Sequence, residues 1–194
     1  MKPTAPILAG AILCLSLVVA PARADVDHYD IDAVHSFVDF KVRYLGLKWV
    51  NGSFTRFTGS MDFDPVDEGR NRIKMVAQAK SIDTQAKRRD DYLRGEDFFN
   101  VTTYPTITFT SSSLKREADG RYRLTGNLTL LATTNQITTH MSAPVAETGP
   151  EGEQRLSVEL DEIVVKRSDY GMQKMIGPIG DEVHLFLNFS AVKK

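Results

Sequence analysis

Between Ser81 and Phe99 the chain reads SIDTQAKRRDDYLRGEDFF, and its reactive side chains crowd there. Asp90 and Asp91 are neighbouring carboxylates, of the kind that divide acid and base work between them. Lys87, Arg88, Arg89 and Arg94 supply cations that hold phosphate or carboxylate oxygens, the arginines in bidentate fashion. The spacing counts against catalysis. Adjacent residues on a helix point apart, so Asp90 and Asp91 do not converge on one substrate atom. A solvated, ion-paired helix face accounts for these charges as readily as an anion site does.

The histidines are His28, His35, His140 and His184. None forms the short-range pair with an acidic partner that a metal site would use, so no metal is expected. His35, followed by Ser36, stands at the start of the first long alternating run and is the one worth holding. There is no Gly-x-Ser-x-Gly elbow and no phosphate-binding glycine loop. Gly171 to Gly180 is glycine-rich without that pattern and reads as a loop before the last strand. No catalytic residue is assigned.

The elements that must position these groups are strands. Val38, Phe40, Val42 and Tyr44 alternate with Asp39, Lys41 and Arg43, the period of two that a half-buried strand requires. Met61 with Phe63, and Ile73 through Ala79, repeat the pattern. Ile107 and Phe109 alternate with threonines, and Asp119-Gly120 marks a hairpin turn toward Tyr122 and Leu124. Leu128 and Leu130, Ile137 to Met141, Leu156 to Leu160, and Val183 to Phe189 follow. Glu147 to Gln154 reads as a polar loop. The count is about eight strands, enough to close an antiparallel barrel. Long helices do not alternate with the strands, which excludes a parallel α/β sheet. The Ser81–Phe99 segment is the best helix, with Asp83 or Thr84 as cap and Gly95 as stop. The fold class is therefore all-β: a single eight-stranded antiparallel barrel with a short helical insertion near one end.

Residues 1–24 read as a cleaved signal peptide. Lys2 is the basic flank, Ile7 to Ala20 is an apolar run short of a comfortable membrane span, and Ala22-Arg23-Ala24 is the cleavage site. Cleavage leaves 25–194 as one barrel domain, without cysteine because Cys14 lies in the leader. Removing Lys2 and Arg23 leaves 22 basic against 25 acidic residues, a formal charge of −3. That balance argues against a nucleic-acid partner.

Several motifs, taken in order along the chain, carry a resemblance. They are Tyr29-x-Ile31-Asp32 with His35-Ser36, Val42-x-Tyr44-Leu45-Gly46, Gly52-x-Phe54, Phe57-x-Gly59, Ser81-Ile82-Asp83-Thr84 and Arg89-Asp90-x-x-Leu93-Arg94. Asp97-Phe98-Phe99-Asn100, Tyr104-Pro105-x-Ile107-Thr108-Phe109, Leu124-x-Gly126-x-Leu128-Thr129-Leu130 and Ile179-Gly180-Asp181-Glu182-Val183 complete the series. The chain resembles the YceI-like family of periplasmic polyisoprenoid-binding proteins. It departs at Leu131 to Gln136, where the family usually carries Gly, a β-branched residue, Thr, Lys and Pro, and at Tyr92, where a histidine is common.

The resemblance implies a lipocalin-like barrel and a periplasmic carrier without catalysis. The ligand would be a long-chain isoprenoid, a quinone or a fatty-acid-like amphiphile held in the lumen. No other cofactor is implied, the protein would not be integral to the membrane, and a homodimer is allowed. Lumen candidates are Val38, Phe40, Val42, Phe98, Phe109, Leu128, Leu185 and Leu187. Mouth candidates for a head group are His35, Arg89 and Arg94. Two other classes stay open: a hydrolase or isomerase acting on a prenyl or acyl lipid, and an interaction partner of a membrane cytochrome.

Overall fold

A computed structural model describes residues 25–194. The expected signal peptide lies outside the described residues. The strands in chain order are β1 (Asp27–Tyr44), β2 (Lys48–Phe54), β3 (Phe57–Phe63), β4 (Arg72–Gln78) and β5 (Ile82–Asp83). The helix α1 (Lys87–Leu93) comes next, followed by β6 (Thr106–Arg116), β7 (Tyr122–Leu130) and β8 (Thr133–Met141). β9 (Val145–Thr148), β10 (Gln154–Glu159), β11 (Ile163–Lys166) and β12 (Ile179–Lys193) end the chain.

These strands form one curled sheet in the order β8-β7-β6-β4-β3-β1-β12-β10-β9, with β2, β5 and β11 branching from it. Every strand pair is antiparallel. β1 spans the whole wall. Its first residues, Asp27 to Asp30, pair with β3, and Asp39 to Tyr44 pair with β2. β12 branches in the same way, to β10 near its end and to β11 near its start. The all-β barrel with one short helix is as the sequence predicts, but the sheet has twelve strands rather than eight. β5, β9 and β11 are too short to show a period. Gly52 hides β2, and Glu147 and Thr148, read as loop, pair with β10.

The sheet meets itself at one end only. Asp161 N donates to His140 O (2.9 Å), Ser142 N donates to Glu159 O (2.8 Å), and Met141 bridges Leu160. At the other end β8 meets a turn of 3-10 helix, Arg167–Tyr170, through Asn135 Nδ2 to Asp169 O (3.0 Å). The closed end is packed solid by buried residues such as Met61, Tyr122 and Met141, and the buried Ile73, Leu124 and Phe189 form the boundary between it and the open end.

Two local features depart from a regular ladder. The β1–β12 register shifts between Asp32 and Phe37. There the Ser36 hydroxyl donates to Asp32 O (2.6 Å) and accepts from Ser190 N (3.1 Å), filling the gap in the ladder. The β7–β8 hairpin turns on Leu131 and Ala132, with Leu131 in the left-handed region at φ 54°. A β-carbon in that conformation costs about 1 kcal/mol.

Candidate functional site

The open end of the barrel holds a cavity of about 1080 Å³. That is at the upper end of the ~300–1,000 Å³ usual for small-molecule pockets. Val38, Phe40 and Val42 of β1 line it, with Phe109 of β6, Leu128 of β7, and Leu185 and Leu187 of β12. Phe98 lines it from the segment after α1. Each strand residue belongs to the inward set of an alternating run, which is why separate segments converge on one space.

Two of these rings are held flat to the wall. Phe40 pairs across the ladder with Gly52, and a β-carbon on Gly52 would run into the Phe40 ring. A β-carbon on Gly126 of β7 would run into the ring of Phe109 in the same way. Glycine lets each ring lie against the backbone instead of crossing the lumen.

α1 and the turns after it cover one side of the opening. Neither Asp83 nor Thr84 caps the helix; Ala86 is the cap position, without a side-chain bond. Asp90 reaches back instead, accepting from Thr84 N (2.9 Å) and Thr84 Oγ1 (2.5 Å). Asp83 Oδ1 accepts from Gln85 N (2.7 Å), which sits at φ 61° and turns the chain into the helix. Beyond α1, Phe98 is buried and packs edge-on to Tyr92 at 5.2 Å, while Phe99 meets Phe54 at 5.6 Å.

The three expected mouth residues separate. Arg89 lines the cavity, but its Nε donates to Thr84 Oγ1 and its Nη2 to Thr84 O, both at 2.6 Å. Arg94 does not line it. Its guanidinium ties backbone on the outer side, through Lys80 O (2.8 Å) and Ile82 O (2.7 Å), and pairs with Asp91 at 3.0 Å. His35 is also outside the lining. It sits in the β1 irregularity, where its Nδ1 donates to Asp32 Oδ2 (2.7 Å). The sequence places all three at the mouth because it cannot say which way a helix face or a bulge turns. Arg155 also donates to Asp32, at 2.8 Å. The His35 hydrogen bond, then that of Arg155, holds the Asp32 carboxyl well below the usual carboxylate range. The other three histidines meet carboxylates on the outer surface: His28 with Asp62, His140 with Glu117, and His184 with Glu162.

Sequence reasoning missed Arg43, Lys48 and Arg167, which also line the cavity. Arg43 and Lys48 flank the turn at Gly46, in a run read only for its apolar face. Arg167 is buried, and its guanidinium donates to the carbonyls of Met172 (2.9 Å), Lys174 (2.8 Å), Ile179 (3.2 Å) and Gly180 (3.0 Å). Burial pulls its pKa down from the ordinary arginine value. It acts as the peg around which the loop from Gly171 to Gly180 is wound. No signal in the sequence separates it from a surface cation.

No carboxylate, histidine, cysteine or serine is among the lining residues. Among the described residues no cluster of three or more potential metal ligands is assembled. None of their helices is long and apolar enough to cross a membrane.

An antiparallel barrel, solid at one end and hollow at the other, is a lipocalin-like barrel. The chain belongs to the YceI-like domain family, which matches residues 29–191. A UPF0312 protein of Yersinia enterocolitica is 33% identical over 180 residues, covering 92% of this chain and 93% of that one. A UPF0312 protein of Yersinia pestis is 34% identical over 164 residues, 84% of each. In fold the chain is similar to BcnA of Burkholderia cenocepacia, with a TM-score of 0.72 at 24% identity over 82% of this chain and 98% of that one. It is also similar to a polyisoprenoid binding domain from Saccharophagus degradans, with a TM-score of 0.66 at 18% identity over 86% and 98%.

Proposed function

We propose that the chain is a periplasmic carrier that holds a polyisoprenoid or another long-chain amphiphile, such as a prenylated quinone, in its barrel. The observation that carries this reading is the cavity: large, apolar and open at one end, with no acid, imidazole or thiol on its wall. Each methylene moved into such a space is worth about 0.8 kcal/mol, so a long chain binds by burial without specific polar contacts. Val38, Phe40, Val42, Phe98, Phe109, Leu128, Leu185 and Leu187 would contact the tail. Arg89 remains beside the opening as the head-group candidate. The fold it shares with a polyisoprenoid binding domain supports the reading, and so does the leader-like sequence of residues 1–24.

The test is native mass spectrometry of the protein extracted gently from the periplasm, followed by uptake of a prenylated quinone from dilute aqueous dispersion. A bound amphiphile, or saturable uptake, is expected. Gly52→Val should push the Phe40 ring into the lumen and cut uptake roughly tenfold, the effect of about 1.4 kcal/mol. A folded, empty protein that takes up no prenyl or acyl compound would defeat the proposal. Conversion of the added lipid to a product would favour an enzyme instead.

A further inference from the structure

The rim of the cavity is unusually apolar for a surface. Leu45 and Leu47, at the turn between β1 and β2, are 56% and 83% exposed. Met175 and Ile176, on the loop before β12, and Tyr92 on α1 are exposed as well. The turn and the loop form one lip. Leu45 N donates to Pro178 O (2.7 Å), Tyr44 pairs with Ile179, and Ile179 N donates to Met175 O (3.0 Å). Leu45 and Met175 both lie in the left-handed region, at φ 50° and 54°, in tight turns where a polar residue or glycine is usual. Other exposed apolar side chains, such as Val34, Val66 and Val145, stand on separate elements away from this lip.

Cations surround the lip. Arg43, Lys48 and Arg88 line the cavity at this end, and among the described residues no carboxylate pairs with any of them. Three acids in these segments are engaged elsewhere: Asp97 by Lys174 (3.1 Å), Asp91 by Lys87 and Arg94, and Asp181 by Ser168. Arg43 rests on the Trp49 ring (4.0 Å) and Lys48 on that of Tyr44 (5.6 Å), contacts that leave their charge unneutralised, and apolar tips ringed by such cations match a bilayer surface. The tips enter the acyl boundary while the cations meet phosphates.

We infer that this lip docks on bilayers that contain anionic phospholipid, with Leu45 and Leu47 inserted and Arg43, Lys48 and Arg88 at the phosphates. The barrel then stands with its cavity opening toward the membrane. Docking does not depend on what the cavity holds, although it gives a carrier its route to a membrane ligand.

The test is sedimentation of the processed chain, residues 25–194, with vesicles of phosphatidylcholine alone or mixed with phosphatidylglycerol. Binding to the mixed vesicles that weakens as salt rises is expected, with little binding to phosphatidylcholine. The double variant Leu45→Asp, Leu47→Asp should lose binding roughly tenfold or more. Because both residues are exposed and outside the lining, its unfolding temperature and its uptake of a prenylated quinone should stay as in the parent. No binding of the parent to mixed vesicles overturns the inference, as does equal binding by the double variant. A parent dimer that the double variant disperses also overturns it, placing a second copy on the lip. Vesicle binding without uptake of any prenyl or acyl compound would leave docking standing and remove the carrier reading, and the converse would do the opposite.

Discussion

Phe189 and Leu185 project from the same face of β12, four residues apart, at two different depths of one interior. Phe189 is fully buried at the cavity floor, in one core with residues such as Met61 and Met141 from other walls, whereas Leu185 is half-buried on the open wall. β7 divides in the same way: Tyr122 is buried outside the lining, Leu124 is buried at the cavity floor, and Leu128 and Leu130 line the open wall. The alternation is identical in both halves, so it reports only which way a side chain points. What lies opposite decides whether the lumen is filled. At the closed end Met141 bridges Leu160 and draws the walls together. At the open end Gly52 and Gly126 let the Phe40 and Phe109 rings fold back.

The comparison is broken most directly by truncating one residue in each half. Phe189→Ala should cost about 3–5 kcal/mol, because it removes a fully buried ring. Leu187→Ala, two positions away on the same face, removes methylenes that border existing space and should cost about 1 kcal/mol. Urea unfolding of both variants measures the difference. Equal losses would mean that the open end is packed as tightly as the closed one. The ligand effect should be confined to the lining, with Leu187→Ala altering uptake of a prenyl compound more than a folded Met141→Leu variant does, since Met141 is buried outside the lining.

The hollow end needs its own internal support, and Arg167 supplies it. Arg167→Met keeps the length of the side chain but leaves four carbonyls without their donor. A loss of about 2–4 kcal/mol is expected, smaller than for Phe189→Ala because solvent can reach part of the freed loop. Hydrogen exchange should quicken between Gly171 and Gly180 while the amides around Met61 and Leu124 stay protected. Uniform loosening of both ends would show that they unfold as one unit.

Much of this division was legible in residue order. Period two sorts the side chains of β1, β6, β7 and β12 into two faces without saying which looks inward, and the structure puts all eight lumen candidates on the cavity wall. The end points of that reading were not legible. His35 and Arg94 look like mouth residues until a bulge and a helix turn settle their direction. Arg167 looks like surface charge until the chain between it and Gly180 closes around it. Short strands such as β5 and β11 show no period, because pairing with a longer neighbour makes them strands. Local pattern fixes a side chain's face, whereas depth and partner come from contacts distant in sequence.

The smallest effect tests whether His35 and its partner belong to the closed half, as their place outside the cavity lining implies. Asp32 has its carboxyl held below the ordinary range by His35 and Arg155. A carboxyl whose folded pKa is depressed stabilises the fold above its unfolded pKa, about 3.9, and that contribution fades as pH falls through the folded value. The parent should therefore lose stability on acidification below about pH 4 more steeply than Asp32→Asn does, and the two should converge near the acid limit. At neutral pH the variant should be weaker by about 1 kcal/mol or less, since Arg155 keeps Glu153 at 2.8 Å as a second partner. Ligand uptake should be unchanged, because neither Asp32 nor His35 touches the cavity wall. Lower uptake at unchanged stability would show that the β1 irregularity is coupled to the open end, and the boundary between the two halves would have to move past Asp32.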